Sequence, residues 1–224
     1  LNQMVQGPQS STALWGILFD IPLDTGGAMI LSRQAIRSHI REKRNQLLSD
    51  TQHQAGLDLI EQFSTLAELS NSTHIALYLS TDGEINTTPL IEWLWSQGKS
   101  VYIPVLHPFS KGHLLFLHYT PTTPMTLNKY QILEPQLNQT LIKPVLELDL
   151  ICTPLVAFDS TGQRLGMGGG YYDRTLSSWF KSKQGAKPIG LAHDCQHVDS
   201  LPSAAWDVPL PKIVTPSKVW QWES

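Results

Sequence analysis

The segment from Ile75 to Leu106 constrains the fold more than any other part of this 224-residue chain. It opens in "HIALYLS", an apolar run too short for a helix, continues through "TTPLIEWLWSQG" and closes in "SVYIPVL". Thr88 stands where a helix cap belongs, Pro89 at the first helical position and Gly98 just past the end, so the middle piece reads as a helix between two buried strands. Strands joined through a helix lie parallel in one sheet, the crossover is right-handed, and ligands gather at the carboxyl ends of the strands. The loop after the first strand, "STDGEINT", is therefore expected at a binding site.

Ahead of this unit, "SRQAIRSHIREKRNQLL" carries Ile36, Ile40, Leu47 and Leu48 on one stripe, with Arg33, Arg37, Arg41 and Arg44 repeating beside it, the pattern of an amphipathic basic helix. A second helix is expected after a cap at Asp50, with Leu59, Ile60, Phe63, Leu66 and Ala67 at steps of three and four before the polar "SNST". From His107 to Leu148 prolines alternate with β-type runs ("HLLFLHY", "YQILEP"), which suggests hairpins over a sheet edge. "LDLICTPLVAF" returns as a buried strand, "YYDRTLSSWF" has helical character, and "PIGLAH" and "KIVT" read as late strands. The expected fold class is α/β: a single three-layer domain with a mainly parallel central sheet flanked by helices, plus β-hairpin-like insertions.

Charge narrows the partners. Sixteen lysines and arginines against 19 aspartates and glutamates give a net charge of -3, which advertises no surface for nucleic acid. No apolar run reaches the roughly 20 residues of a membrane helix, so no membrane partner is expected. Cys152 and Cys195 lack any paired spacing, which points to a reducing compartment, the cytoplasm. Periodic structure begins only at Ser32, so residues 1–28 read as a non-native or disordered extension, Met29 as the natural start and 29–224 as the domain.

The densest chemical signal is "GQRLGMGGGYYDRTL", Gly162 to Leu176. A glycine-rich turn between a strand and a helix lets bare backbone N–H groups face an anion at the helix N-terminus. The pattern is neither a Walker loop, for there is no lysine, nor a dinucleotide loop, for Tyr171 occupies the third glycine position. Arg164 and Arg174 bracket the loop with forked cations suited to phosphate, and Asp173 could hold magnesium bound to the same phosphates. The same residues also allow a plainer reading, in which the glycines permit a tight turn and Asp173 caps the helix or pairs with Arg174.

With these motifs in view, the chain resembles the 5-formyltetrahydrofolate cyclo-ligases, also called 5,10-methenyltetrahydrofolate synthetases, and their bacterial branch in particular. The likeness runs from about Ser32 to the end, through "RQAIR", "LSTDGEINT", "ILEP", "DLICTPLVAFDSTGQRLGMGGGYYDR", "GLAHDCQ" and "LPSAAWDVPLPKIVT", in the family's order. The resemblance implies ATP- and magnesium-dependent closure of 5-formyltetrahydrofolate to 5,10-methenyltetrahydrofolate, with ADP and phosphate released, by a monomer. It implies an ATP site on Arg33, Gln34, Ala35, Ile36 and Arg37, continued through Arg164, Leu165, Gly166, Met167, Gly168, Gly169, Gly170, Tyr171 and Tyr172. Folate contacts are implied at Leu79 and Glu84 and along Met167 to Tyr171, with Arg164 and Gly169 at the reaction centre. The family's magnesium-linked aspartates match Asp173 and Asp207. Arg33 stands where the family often has lysine, which keeps the charge but replaces a point donor with a fork.

Other features are read as structural. His193, Asp194, Cys195 and His197 lack a second ligand cluster and are not taken as a metal site. Trp93 and Trp95, two apart on a helix, cannot share a face. The arginine stripe is equally compatible with a solvated surface, and only the resemblance raises Arg33 and Arg37 above it. Two rival classes stay open from the residues alone: a sugar-phosphate isomerase or CoA-transferring enzyme, and a regulatory module that binds nucleotide or folate without reacting.

Overall fold

The computed structural model describes residues 32–202, 204 and 207–222. The expected start at Met29 and the extension before it lie outside the described residues. The helices are α1 (Arg33–Asn45), α2 (Ser49–Ser64), α3 (Thr88–Ser96) and α4 (Tyr171–Ser182). The strands are β1 (His74–Ala76), β2 (Ser100–Leu106), β3 (Leu114–Tyr119), β4 (Met125–Leu127), β5 (Leu133–Pro135), β6 (Ile142–Lys143), β7 (Leu150–Pro154), β8 (Ala157–Phe158), β9 (Arg164–Leu165), β10 (Lys187–Leu191), β11 (Lys212–Val214) and β12 (Val219–Gln221).

Eight strands form one sheet in the order β12-β11-β10-β7-β1-β2-β3-β6. The five central strands, β11 through β2, run parallel, and antiparallel neighbours close both edges. Alternation sorts the side chains between two cores. Ile75, Val101 and Leu150 pack with Leu59, Phe63 and Leu90 of α2 and α3, while Ala76, Tyr102 and Ile151 pack with Leu176 of α4. A sheet covered on both faces needs apolar residues at successive positions, which is why its strands read as continuous runs. The α/β architecture with three layers is as the sequence implies; β4/β5 is a hairpin within the stretch where hairpins are expected, while β8/β9 is a further hairpin in a stretch read as strand and loop.

Local details differ. The second helix begins at Ser49 with Leu48 at the cap and no side-chain cap bond, while Asp50 falls in the first turn, where its charge still complements the helix dipole. Leu66 lies beyond that helix, and Ala67 opens the short 3₁₀ segment Ala67–Asn71. Thr87, not Thr88, precedes α3, and its hydroxyl donates to the Tyr78 carbonyl rather than to its own helix. Leu48 is 75% exposed, so the apolar stripe of α1 ends at Ile40.

Strand order fixes the place for a site. From β1 the chain crosses through α3 to β2 on one side; from β7 it crosses through α4 to β10 on the other. The carboxyl ends of β1 and β7 therefore flank the point where connections diverge, the usual crevice for a ligand in an open α/β sheet. Across this end lies α1, capped by Ser32, whose Oγ accepts from the Ala35 amide at 3.2 Å. Ile36 and Ile40 pin the helix to Val156, Ala157 and Leu165 of the β8/β9 hairpin.

Candidate active site

Each arginine of α1 reaches into a loop at the carboxyl end of the sheet. Arg33 forks onto Asp207 at 2.5 and 2.9 Å. Arg37 Nε donates to the Gly166 carbonyl at 2.8 Å, tying the helix to the glycine loop. Arg41 Nε donates to Asp82 Oδ2 at 2.7 Å, and Arg44, wholly buried, donates to the Asp82 carbonyl at 2.7 Å and to its carboxylate at 2.8 Å. The stripe is thus an anchoring face. Of the other implied ATP contacts on this helix, Ile36 turns into the core, Gln34 faces solvent and Ala35 is half-buried.

The glycine loop follows the β8/β9 hairpin rather than β7 directly. Gly168 and Gly170 have φ of +96° and +65°, left-handed values that side chains resist, and they turn the chain into α4. Met167, Gly168 and Gly169 are exposed, while Leu165 is buried beneath them. Arg174 turns its guanidinium onto the backbone, holding the carbonyls of Gly112, at 2.8 Å, and Gly169. Tyr171 shares a 3.0 Å hydroxyl contact with Tyr130 at the tip of the β4/β5 hairpin, which sequence reasoning did not link to the site.

Below the loop Arg164, its side chain only 3% exposed, donates through Nη2 to Asp173 at 2.6 Å. Burial pulls its pKa down and Asp173 pulls it back up. Asp207 accepts from the Ala204 amide at 2.8 Å as well as from Arg33, and its carboxyl is held below the usual value against the opposing effect of burial. Arg33 also feels Asp173, and Asp207 feels Arg164, so the two ion pairs form one electrostatic cluster. Among the described residues, no group of three or more His, Cys, Asp and Glu side chains gathers around a point. The carboxylates of Asp173 and Asp207 are hard oxygen donors, the kind magnesium takes, commonly one or two together with substrate phosphates.

On the other side of the crevice Glu84 lies in the turn after β1. Its Oε2 accepts from the Thr81 amide at 3.0 Å, and burial raises its pKa. Leu79, half-buried at the strand end, packs against the core. Tyr172 joins the halves: burial raises its hydroxyl pKa, the Glu84 charge raises it further, and Arg164 opposes. Among the described residues that buried hydroxyl has no hydrogen-bond partner, nor have Thr153 Oγ1, Arg164 Nε and His193 Nε2. Four orphaned polar atoms on segments that end at one crevice signal a polar ligand or ordered water, since each costs about 1–3 kcal/mol unsatisfied.

His193 sits just after β10, and burial, reinforced by Arg44, lowers its pKa to about 4. It is neutral in the fold but protonates at about 6.5 in the unfolded chain. Its contribution to stability is therefore present above pH 6.5 and is lost as pH falls toward 4. Thermal unfolding between pH 7 and 4 is expected to lose less stability in His193→Gln than in the parent. Parallel losses would mean that other groups set the acid response.

The match to known proteins is broad. The profile of the 5-formyltetrahydrofolate cyclo-ligase family aligns with residues 30–216. The 5-formyltetrahydrofolate cyclo-ligase of Escherichia coli K12 is 50% identical over 183 residues, 82% of this chain and 100% of that protein. That of Haemophilus influenzae is 52% identical over 178 residues, 80% of this chain and 94% of its own. Among solved structures, the NMR structure of Aquifex aeolicus 5,10-methenyltetrahydrofolate synthetase superposes with a TM-score of 0.72 at 27% identity, covering 86% of this chain and 93% of that one. Sequence, fold and the clustering of both loops at one sheet end agree, and the chain belongs to the 5-formyltetrahydrofolate cyclo-ligase family.

Proposed function

We propose that the protein converts 5-formyltetrahydrofolate to 5,10-methenyltetrahydrofolate at the expense of ATP, with release of ADP and phosphate. The observation that supports this reading is that α1 holds both candidate ligand loops, with Arg37 Nε on the Gly166 carbonyl at 2.8 Å and Arg44 on the carboxylate of Asp82, two residues before Glu84, at 2.8 Å. A formamide carbonyl is a poor electrophile and its oxygen a poor leaving group. Attack of the formyl oxygen on the γ-phosphorus expels ADP and gives an imidate phosphate. Nitrogen 10 then adds to the same carbon and gives up its proton, and phosphate departs with the former formyl oxygen.

The protein supplies position and charge, since the two substrates bring every reacting atom. Arg33, Arg37 and the segment from Arg164 to Tyr172 receive the nucleotide, and the bare backbone from Gly168 to Gly170, exposed at Gly168 and Gly169, lets folate approach the γ-phosphate closely. Glu84, with Leu79 beside it, accepts hydrogen bonds from the pterin. Asp173 and Asp207 would hold magnesium, which neutralises phosphate charge when bound. The two cysteines are free thiols, which supports placing the enzyme in the cytoplasm, where it acts as a monomer.

The test is the near-ultraviolet absorbance of the methenyl product from 5-formyltetrahydrofolate and MgATP. Product is expected with ATP and not without it. Folded protein that yields none at saturation defeats the proposal, and product without ATP would indicate an isomerase-like route. Glu84→Gln should weaken folate binding by about tenfold or more, the worth of hydrogen bonds to a charged group, while nucleotide binding stays near the parent's. Comparable loss of both ligands in a titration would remove Glu84 from the folate side.

A further inference from the structure

The loop that carries Glu84 is held by an arrangement the proposed chemistry does not use. Asp82 adopts φ of +52°, a left-handed conformation that costs a non-glycine residue about 1 kcal/mol or more and persists only where the surroundings enforce it. Its carboxylate accepts from Arg41 at 2.7 and 3.2 Å, from Arg44 at 2.8 Å and from Asn45 Nδ2 at 3.3 Å. Gln52 of α2 adds a bond to the Gly83 carbonyl at 3.2 Å. The Arg44 guanidinium donates across the crevice to the Leu155 carbonyl at 3.3 Å, just past β7, as well as to Asp82. One buried cation thus ties together the segments that leave the two strands flanking the crevice.

The same helix reaches both ligand loops. Near its start Arg37 holds the Gly166 carbonyl; near its end Arg41, Arg44 and Asn45 hold Asp82. A helix is a stiff spacer, rising about 1.5 Å per residue, so the distance between the loops is set by α1. The Asp82 carboxyl is lowered to about 2, chiefly by Arg41, so the clamp keeps its charge throughout the physiological range.

We infer that Asp82, clamped by Arg41 and Arg44, is a positioning residue that fixes Glu84 relative to the glycine loop and so sets folate affinity. This rests on Glu84 being the folate ligand. Glu84 lies two residues on, and the intervening turn is closed by its amide donating to the Thr81 carbonyl at 2.9 Å, so a displaced Asp82 carries Glu84 with it.

The experiment is calorimetric titration of 5-formyltetrahydrofolate and, separately, of a non-hydrolysable ATP analogue into the full chain. Asp82→Asn is expected to raise the folate dissociation constant about tenfold, with the nucleotide constant changed by less than about twofold. In a Glu84→Gln background the same change should add little, because both act through one carboxylate. Unmoved folate affinity in folded Asp82→Asn, or a penalty that adds in full to that of Glu84→Gln, overturns the inference. If Asp82→Asn does not fold, Arg41→Gln serves, since the Arg41 side chain is 43% exposed and the Arg44 contact survives. It should weaken folate alone by a few fold, and unchanged affinity overturns the inference equally. A parent protein that binds no folate defeats the functional reading itself, an outcome distinct from parent binding with silent variants.

Discussion

Gly169→Val is expected to lower turnover by about a hundredfold or more while the protein stays folded. Gly169, unlike its neighbours Gly168 and Gly170, does not require a left-handed backbone, so valine meets no conformational bar there. Its Cβ would stand 2.9 Å from Tyr171 Cδ2, closer than side chains approach. The Tyr171 ring is half-buried, with its hydroxyl on the exposed Tyr130 and the Arg174 guanidinium 5.8 Å from its centroid, weak contacts that let it swing aside at modest cost in stability. What cannot be recovered is the open surface: in the proposed site the added methyl groups would occupy the approach to the backbone where the formyl oxygen and γ-phosphate would meet. A misplacement of about 1 Å in such a reaction costs about a hundredfold. Thermal melts and methenyl absorbance separate the two effects. Near-parental turnover would mean that the loop lies away from the reaction centre.

The contrast between what the chain announces and what it conceals is physical. The strand-helix-strand unit was legible because Pro89 and Gly98 punctuate it and its strands, covered on both faces, are continuously apolar. The glycine loop was legible because four glycines in five residues serve few other purposes. The β8/β9 hairpin inside "LVAFDSTGQRL" was not, since each strand has two residues, too few to show a period of two. For the same reason β12, three residues near the end, went unread. The arginine stripe was visible, but its meaning was not: Arg44 meets Asp82 38 positions later, and nothing local distinguishes a buried guanidinium from a solvated one. The backbone contact of Arg174 was hidden on similar grounds, because its partner Gly112 lies 62 residues away. Periodicity reports which face is buried; it carries no information on which distant carbonyl a long polar side chain will reach.

Arg164→Met is expected to have the largest effect on turnover, a loss of about a thousandfold or more, comparable to removing an arginine from other phosphoryl-transfer sites. Methionine preserves much of the length and apolar stem but removes the fork that meets Asp173, leaving that carboxylate uncompensated. Asp173 is 25% exposed and can recruit water, so the stability loss should fall at or below the roughly 3–5 kcal/mol of a broken buried pair. The catalytic loss has a different origin. Arg164 is the buried cation beneath the loop, with Nη2 on Asp173 and Nε without a protein partner, so charge developing on the γ-phosphoryl oxygens would meet a preoriented donor in a site poor in water. Such a contact strengthens as ADP departs, so kcat should fall more than the Michaelis constant for ATP rises. Arg164→Lys should recover little, since one ammonium cannot reproduce both directions of the fork. A loss confined to the Michaelis constant, or full recovery by lysine, would assign Arg164 to nucleotide binding and take it out of the transition state.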